Sequence, residues 1–189
     1  MGNILFIDSS VRCESRTRAL AQHLLQKLGG DVDTLSLDDR ALPPLDRETL
    51  EMRSACCDAG DFRERYFDPA KQFARADTIV IAAPFWDGSF PAVLKKYIET
   101  VCVSGITFRY SPEGIPIGLC RAKRLYYVTT AGGQIFSDAY GYGYVSDLAK
   151  NMFGIGETYL IKAENLDIIG ADIHSILACA KAEIDKLFQ

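Results

Sequence analysis

Three short stretches of this chain gather residue types that can hold a small polar ligand. The first is Ser9-Ser10-Val11-Arg12-Cys13-Glu14-Ser15-Arg16-Thr17-Arg18, which follows an apolar run and leads into a helical pattern. Free N–H groups and the positive dipole end of a helix favour a phosphate there, and serine and threonine hydroxyls add donors without bulk. Arg12, Arg16 and Arg18 can add charge. With no glycine, the stretch is neither a Walker A loop nor a G-x-G-x-x-G fingerprint, so a mononucleotide phosphate fits better than NAD. Taken alone, Ser15 reads equally well as a plain helix N-cap. Cys13 beside a helix start suggests a nucleophilic thiol, but no histidine lies near it.

The second stretch, Pro84-Phe85-Trp86-Asp87-Gly88-Ser89-Phe90-Pro91, sets three aromatics and a glycine-bearing turn after a strongly apolar run. A flat polar ring needs an aromatic wall and backbone hydrogen bonds, and this stretch offers both. Trp86 and Phe90 as core plugs are the alternative. The third stretch, Thr129-Thr130-Ala131-Gly132-Gly133-Gln134, combines hydroxyls with adjacent glycines, which let the backbone approach a ligand edge or simply turn tightly.

Composition narrows the class of protein. At 189 residues, 48% hydrophobic and 24% charged, the chain fits one soluble globular domain. A net charge of −4 argues against a general nucleic-acid or anionic-membrane binder, which needs a basic field. Neither a signal-peptide core nor a membrane span is expected. The six cysteines lack zinc spacing, so reduced thiols in a cytoplasmic protein fit best. Two histidines, His23 and His174, both in helical patterns, leave a metal or Ser-His-Asp site short of parts.

The elements that must position these stretches alternate. Ile4-Leu5-Phe6-Ile7 reads as a strand buried on both faces, and residues 15–28 as a helix stopped by Gly29-Gly30. Val32, Leu35 and Leu37 mark a second strand, followed by a polar stretch through Pro43-Pro44 and helices over 46–59 and 69–75. Residues 78–83 form the third strand, and Pro91 opens a helix whose apolar side carries Val93, Leu94, Tyr97, Ile98 and Val101. After a glycine- and proline-containing excursion over 105–118 come strand four at 124–130, a helix at 144–153, strand five at 157–163 and a helix at 172–188. Such alternation implies right-handed crossovers and a five-stranded parallel sheet, order 2-1-3-4-5, with helices on both faces. Ligands then sit beyond the carboxyl ends of the strands at the switch point between strands one and three, where the three stretches lie.

On these residues the chain resembles the flavodoxin-like NAD(P)H:quinone oxidoreductase and FMN-dependent azoreductase family, over essentially its full length. The resemblance rests on Ser9 followed by Ser15-Arg16-Thr17, on Ala83-Pro84-Phe85-Trp86-Asp87 with Phe90-Pro91-Ala92-Val93-Leu94-Lys95, on Gly105-Ile106-Thr107-Phe108-Arg109-Tyr110, and on Thr130-Ala131-Gly132-Gly133. It implies an α/β flavodoxin-like three-layer sandwich as a single FMN-binding domain over residues 1–189. By the same resemblance Ser9, Ser15, Arg16 and Thr17 hold the FMN phosphate. Pro84, Phe85, Trp86, Asp87 and Gly88 cradle the flavin ring, and Thr130, Ala131, Gly132 and Gly133 contact its other side.

The family usually carries asparagine at Asp87, and an ionised carboxylate there would oppose an anionic reduced flavin, leaving Asp87 a backbone role. Gln134-Ile135-Phe136 likewise replaces the histidine or tyrosine that often follows the double glycine. The resemblance further implies a ping-pong reaction, in which hydride passes from NADH or NADPH through FMN to a quinone, azo compound or related flat acceptor, with no catalytic side chain and no metal. A homodimer with the flavin site near its interface is also implied. Residues 106–119, with Phe108, Tyr110, Ile115 and Ile117, read as partner surface, flavin lid or self-packed hairpin, and Tyr140-Gly141-Tyr142-Gly143-Tyr144 as an aromatic wall or a flexible loop. A flavodoxin-type electron carrier is the alternative function. A phosphoacceptor receiver domain would suit Asp8 but lacks its aspartate at Ala82-Ala83-Pro84.

Overall fold

The structure is a computed structural model that describes residues 2–37 and 42–189. The chain runs β1 (Asn3–Asp8), α1 (Arg16–Leu28), β2 (Asp31–Ser36), α2 (Arg47–Ala59), α3 (Asp68–Arg75), β3 (Thr78–Ala82) and α4 (Ala92–Val101). There follow β4 (Phe108–Tyr110), β5 (Pro116–Gly118), β6 (Arg124–Thr130), α5 (Tyr144–Leu148), β7 (Glu157–Ala163) and α6 (Ile173–Lys186). The main sheet is parallel, in the order β2-β1-β3-β6-β7, which is the predicted 2-1-3-4-5 once the small β4–β5 hairpin is set aside.

Side chains alternate across a strand, so each apolar run of this sheet supplies two cores. Leu5, Ile7, Ile79, Ile81, Leu125 and Tyr127 pack one face against Phe73, Leu94 and Tyr97 of α3 and α4. Ile4, Phe6, Val80, Tyr126 and Val128 pack the other against Leu20 and Leu24 of α1 and Ile184 of α6. Each large aliphatic or aromatic side chain buried this way stabilises the fold by roughly 1.5–3 kcal/mol. The helices begin where the sequence supplies caps. Ser15, Asp46 and Asp172 accept from the N–H of Arg18 (3.2 Å), Thr49 (2.9 Å) and Ser175 (3.0 Å). On α4 the five residues of the predicted apolar side are all buried.

The structure sharpens strand two, the 105–118 excursion and the 139–153 segment beyond what the sequence settled. β2 is an edge strand with Val32 exposed, while Leu37 beyond it is buried. The first part of the polar stretch predicted after it, residues 38–41, lies outside the described residues. The 105–118 excursion contains the antiparallel β4–β5 hairpin, seated so closely that a Cβ on Gly118 would lie 2.2 Å from the Gly154 nitrogen. The helix expected over 144–153 starts earlier, because wider π-type turns, Ala139–Gly143 and Ala149–Phe153, flank α5. Tyr140 to Tyr144 is thus wound rather than looped, with the Tyr142 hydroxyl donating to the Thr158 carbonyl at 3.0 Å and only Tyr140 strongly exposed.

Candidate functional site

At the carboxyl edge of the sheet the strand ladder continues into the loops and draws them together. Ser9 N–H donates to Ala82 O (2.9 Å), Phe85 N–H to Thr130 O (3.0 Å) and Ala131 N–H to Ala163 O (2.9 Å). The crevice they frame lies where β1 separates β2 from β3 and holds a cavity of about 630 Å³, within the usual range for ligand sites. Its walls are residues 10–12 and 14–17, residues 84–86, residues 130–132, and Leu166 and Asp167 after β7.

Two adjacent serines of the first loop face different ways. Ser9 is fully buried, donates its hydroxyl to the Ala82 carbonyl at 2.8 Å and does not line the cavity. Ser10 does line it, is 8% exposed, and its Oγ has no hydrogen-bond partner among the described residues. A buried hydroxyl without a partner is costly, so this oxygen calls for a partner that the protein itself does not supply. Ser15 caps α1 and lines the cavity, so the cap and ligand readings coexist. Thr17 is buried, and its Oγ1 lies 2.6 Å from Thr130 Oγ1, joining the first loop to the third. Arg16 reaches across to the Leu166 carbonyl (3.0 Å) and the Asp167 carboxylate (2.8 Å). Cys13 is exposed and lies outside the cavity wall.

In the second loop Pro84, Phe85 and Trp86 line the cavity, whereas Asp87 and Gly88 form the tip of a tight turn beyond it. Trp86 and Ser89 exchange both backbone hydrogen bonds (3.0 and 2.8 Å), and Asp87 (φ 50°) and Gly88 (φ 82°) take the left-handed conformations such a turn demands. The Asp87 side chain is exposed, away from the cavity wall. Phe136 closes on this loop, its ring 5.7 Å from that of Phe85 and edge-on, and a Cβ on Gly88 would lie 3.2 Å from Phe136 Cζ. Phe90 instead turns into the core beside Tyr144, so of the two candidate plugs only Trp86 belongs to the cavity.

In the third loop Ala131 is buried and Gly132 admits a neighbour that no side chain would allow. A Cβ on Gly132 would lie 2.4 Å from Asp167 Oδ2. Asn165, Leu166 and Asp167 donate their N–H groups to the carbonyls of Gly133 (3.1 Å), Ala131 (3.1 Å) and Gly132 (2.9 Å). Gly133 itself lies just beyond the cavity wall. Sequence reasoning missed Ser10, Leu166 and Asp167. Which of two neighbouring serines leaves the ladder is set by the Asp8–Ala82 register, and the β7 loop docks through backbone groups that no motif marks.

Ionisable groups elsewhere do not form a rival centre. Burial pushes the Cys102 thiol up to about 11 and the Cys120 thiol up to about 12, so both are inert thiols at neutral pH. His23 contacts Asp185 at 2.9 Å on the α1–α6 side. Asp8, the candidate phosphoacceptor, is held by Arg18 and by the Ser10 N–H (2.9 Å). Among the described residues no cluster could hold a metal ion, and no helix is long and apolar enough to cross a membrane.

A doubly wound α/β sheet with an anion-accepting helix start and an aromatic wall at its switch point defines a mononucleotide-binding class of protein. The chain belongs to the flavodoxin-like fold family, whose model matches residues 2–187. It is 34% identical to FMN-dependent NADH:quinone oxidoreductase 2 of Clostridium acetobutylicum, covering 94% of this chain and 93% of that protein. It is 33% identical to the FMN-dependent NADH:quinone oxidoreductase of Lachnoclostridium phytofermentans, covering 93% and 92%. Its fold matches the FMN-dependent NADH-azoreductase of Bacillus anthracis solved in complex with FMN, with a TM-score of 0.81, 20% identity and coverage of 100% and 98%.

Proposed function

We propose that the cavity binds FMN and that the protein is an FMN-dependent NAD(P)H oxidoreductase reducing quinones, azo compounds and related flat acceptors. The observation that carries this reading is that Ser10, in the loop between β1 and α1, has a buried hydroxyl with no partner among the described residues and lines the same cavity as Pro84-Phe85-Trp86. Its donors suit a phosphate and its aromatic wall suits a flat ring, so the residues fit the group. The names of the relatives, FMN-dependent NADH:quinone oxidoreductases and an azoreductase, support the same conclusion.

Ser10, Ser15 and Thr17 would donate hydroxyl hydrogens to the phosphate, with Arg16 adding its N–H and charge, while Ser9 holds the loop to β3. Phe85, Trp86 and Pro84 would orient the ring from one side and Thr130, Ala131 and Gly132 from the other. Asp87, Gly88 and Gly133 would act through the backbone at its rim. Bound FMN would supply the two-electron chemistry that links NADH or NADPH to the acceptor in a ping-pong sequence. The protein's share is binding, orientation and exclusion of water, so no side chain need act as acid or base.

The same reading makes residues 1–189 one FMN-binding domain, working in the cytoplasm as a homodimer with the flavin site near its interface. Tyr110, Ile115, Ile117 and Leu119, exposed on and beside the β4–β5 hairpin, are the apolar surface that such a partner would cover. The test is reconstitution with FMN followed by NADH and a benzoquinone. Continuous NADH oxidation that depends on quinone is expected. A protein that leaves added FMN fully fluorescent would refute the reading, and one that binds FMN but is not reduced by either nucleotide would be an electron carrier.

A further inference from the structure

Arg18 lies outside the cavity wall, yet four groups of the first loop converge on its guanidinium. Its Nε bonds the Asp8 carboxylate, Nη2 donates to the Ser10 carbonyl (2.8 Å), and Nη1 donates to the carbonyls of Arg12 (3.1 Å) and Cys13 (2.8 Å). The Asp8 side chain is 2% exposed, and its other oxygen accepts the Ser10 N–H at 2.9 Å. A contact ion pair of this kind projects little net charge into its surroundings, so Arg18 cannot act on an anion chiefly by Coulomb attraction.

Its effect on the backbone is more direct. No peptide bond among the described residues is cis, and in a trans unit the carbonyl and the following N–H point in opposite directions. Drawing the carbonyls of Ser10, Arg12 and Cys13 onto Arg18 therefore turns the N–H groups of Val11, Cys13 and Glu14 away from it. Among the described residues none of these three N–H groups meets a protein acceptor. Ser10, Val11, Arg12 and Glu14 line the cavity and Arg18 does not, so the side away from the guanidinium is the cavity side.

We propose that Arg18, clamped by Asp8, is the positioning residue of the phosphate site: it gathers the loop carbonyls so that the N–H groups of Val11 and Glu14, both on the cavity wall, face the anion. This rests on the FMN reading and names how that site is built. A planar fork serves four acceptors at once, which a lysine ammonium with three N–H bonds cannot match in number or geometry.

The test compares FMN with riboflavin, which lacks the phosphate, by flavin fluorescence on the full chain and on Arg18→Lys and Asp8→Asn. Arg18→Lys keeps the charge but should weaken FMN about tenfold or more, the loss of at least one hydrogen bond to a charged group, while changing riboflavin less than about twofold. Asp8→Asn separates position from charge. Freeing the guanidinium charge would tighten FMN, whereas loosening the clamp weakens it, and weakening is expected. The phosphorus NMR shift of bound FMN should stay constant through about pH 6 in the unaltered protein and titrate in Arg18→Lys. Equal losses for FMN and riboflavin, or tighter FMN binding by Asp8→Asn, would overturn the proposal. If the unaltered protein bound no FMN, the parent reading would fall, and this proposal with it.

Discussion

Replacing Thr17 and Thr130 by valine, singly and together, separates the structural role of the hydroxyl pair that joins the first loop to the third from its proposed ligand-binding role. Thr17 is 1% exposed and Thr130 8%, and their oxygens lie 2.6 Å apart. Valine keeps the shape of threonine, so a single change mainly strands the surviving hydroxyl. A buried polar group without its partner costs about 1–3 kcal/mol, whereas replacing both partners by apolar groups of the same shape is nearly neutral. Thr130→Val should cost more than Thr17→Val, because it strands the deeper hydroxyl. At about 2–4 °C per kcal/mol for a chain of this size, the larger effect is a loss of about 2–12 °C in melting temperature.

The double variant should melt within a few degrees of the parent, a coupling in its favour about as large as the two single costs together. Its FMN affinity should nevertheless be the worst of the series, down about tenfold or more, since a hydrogen bond to the charged phosphate is lost. Stability and binding then rank the variants in different orders, which a purely structural role cannot produce. Thermal or urea unfolding of the FMN-free protein, with flavin fluorescence titrations, reads both. Additive destabilisation in the double variant would refute the energetic argument, and unchanged FMN affinity would refute the assignment of Thr17 to the phosphate.

Two further predictions come from outside the cavity. Gly118→Ala places a Cβ 2.2 Å from both the Gly154 nitrogen and the Phe153 carbonyl carbon, atoms of backbone that cannot swing aside, so a loss of about 3 kcal/mol or more is expected in urea unfolding. Wild-type stability in the variant would mean that the hairpin does not seat there. At alkaline pH, half-buried Cys102 and buried Cys120 hold thiol values of about 11 and about 12 against an ordinary 9.0. Below about pH 9 they are neutral in both states and their contribution is complete; above it the unfolded chain sheds protons first, so stability falls as pH rises towards about 12. Melting temperature measured from pH 8 upward should decline, and less steeply in a Cys102→Ala, Cys120→Ala variant; equal slopes would contradict their burial.

What could be read from the sequence was local or periodic. The apolar run at β3, the i, i+3, i+4 face of α4, the cap at Ser15 and the helix starts at Asp46 and Asp172 each follow from neighbours within a few residues, and together they imply the sheet order through the alternation rule. What could not be read depends on registers and on backbone groups. Ser9 and Ser10 are chemically identical, and only the pairing of Asp8 with Ala82 puts the first hydroxyl on a carbonyl and the second residue on the cavity wall. Asp167 enters the site because the Gly132 carbonyl receives its N–H, a contact between residues far apart in sequence and without a side-chain signature. The alternation of tyrosine and glycine over 140–144 left wall and loop equally open. Its π-type turn arises from tertiary contacts such as that of Tyr142 with Thr158.

The first loop carries Arg12, Arg16 and Arg18, and the sequence invites the view that their charge attracts the phosphate. The structure assigns carboxylates to two of them, Asp167 to Arg16 and Asp8 to Arg18, in a chain whose net charge is −4. Among the described residues only Arg12 of the three lacks an ion pair, and Glu14 shares the same wall. Selectivity for a phosphate in this setting has to come from direction rather than from field. On the proposed reading, hydroxyls at Ser10, Ser15 and Thr17, with the backbone N–H groups that Arg18 would set in place, supply that direction. A bare cluster of arginines would accept any acidic surface. Neutralised arginines that hold a loop in shape would leave a site suited to one phosphate beside an aromatic wall, which is what a mononucleotide carrying a flat ring requires.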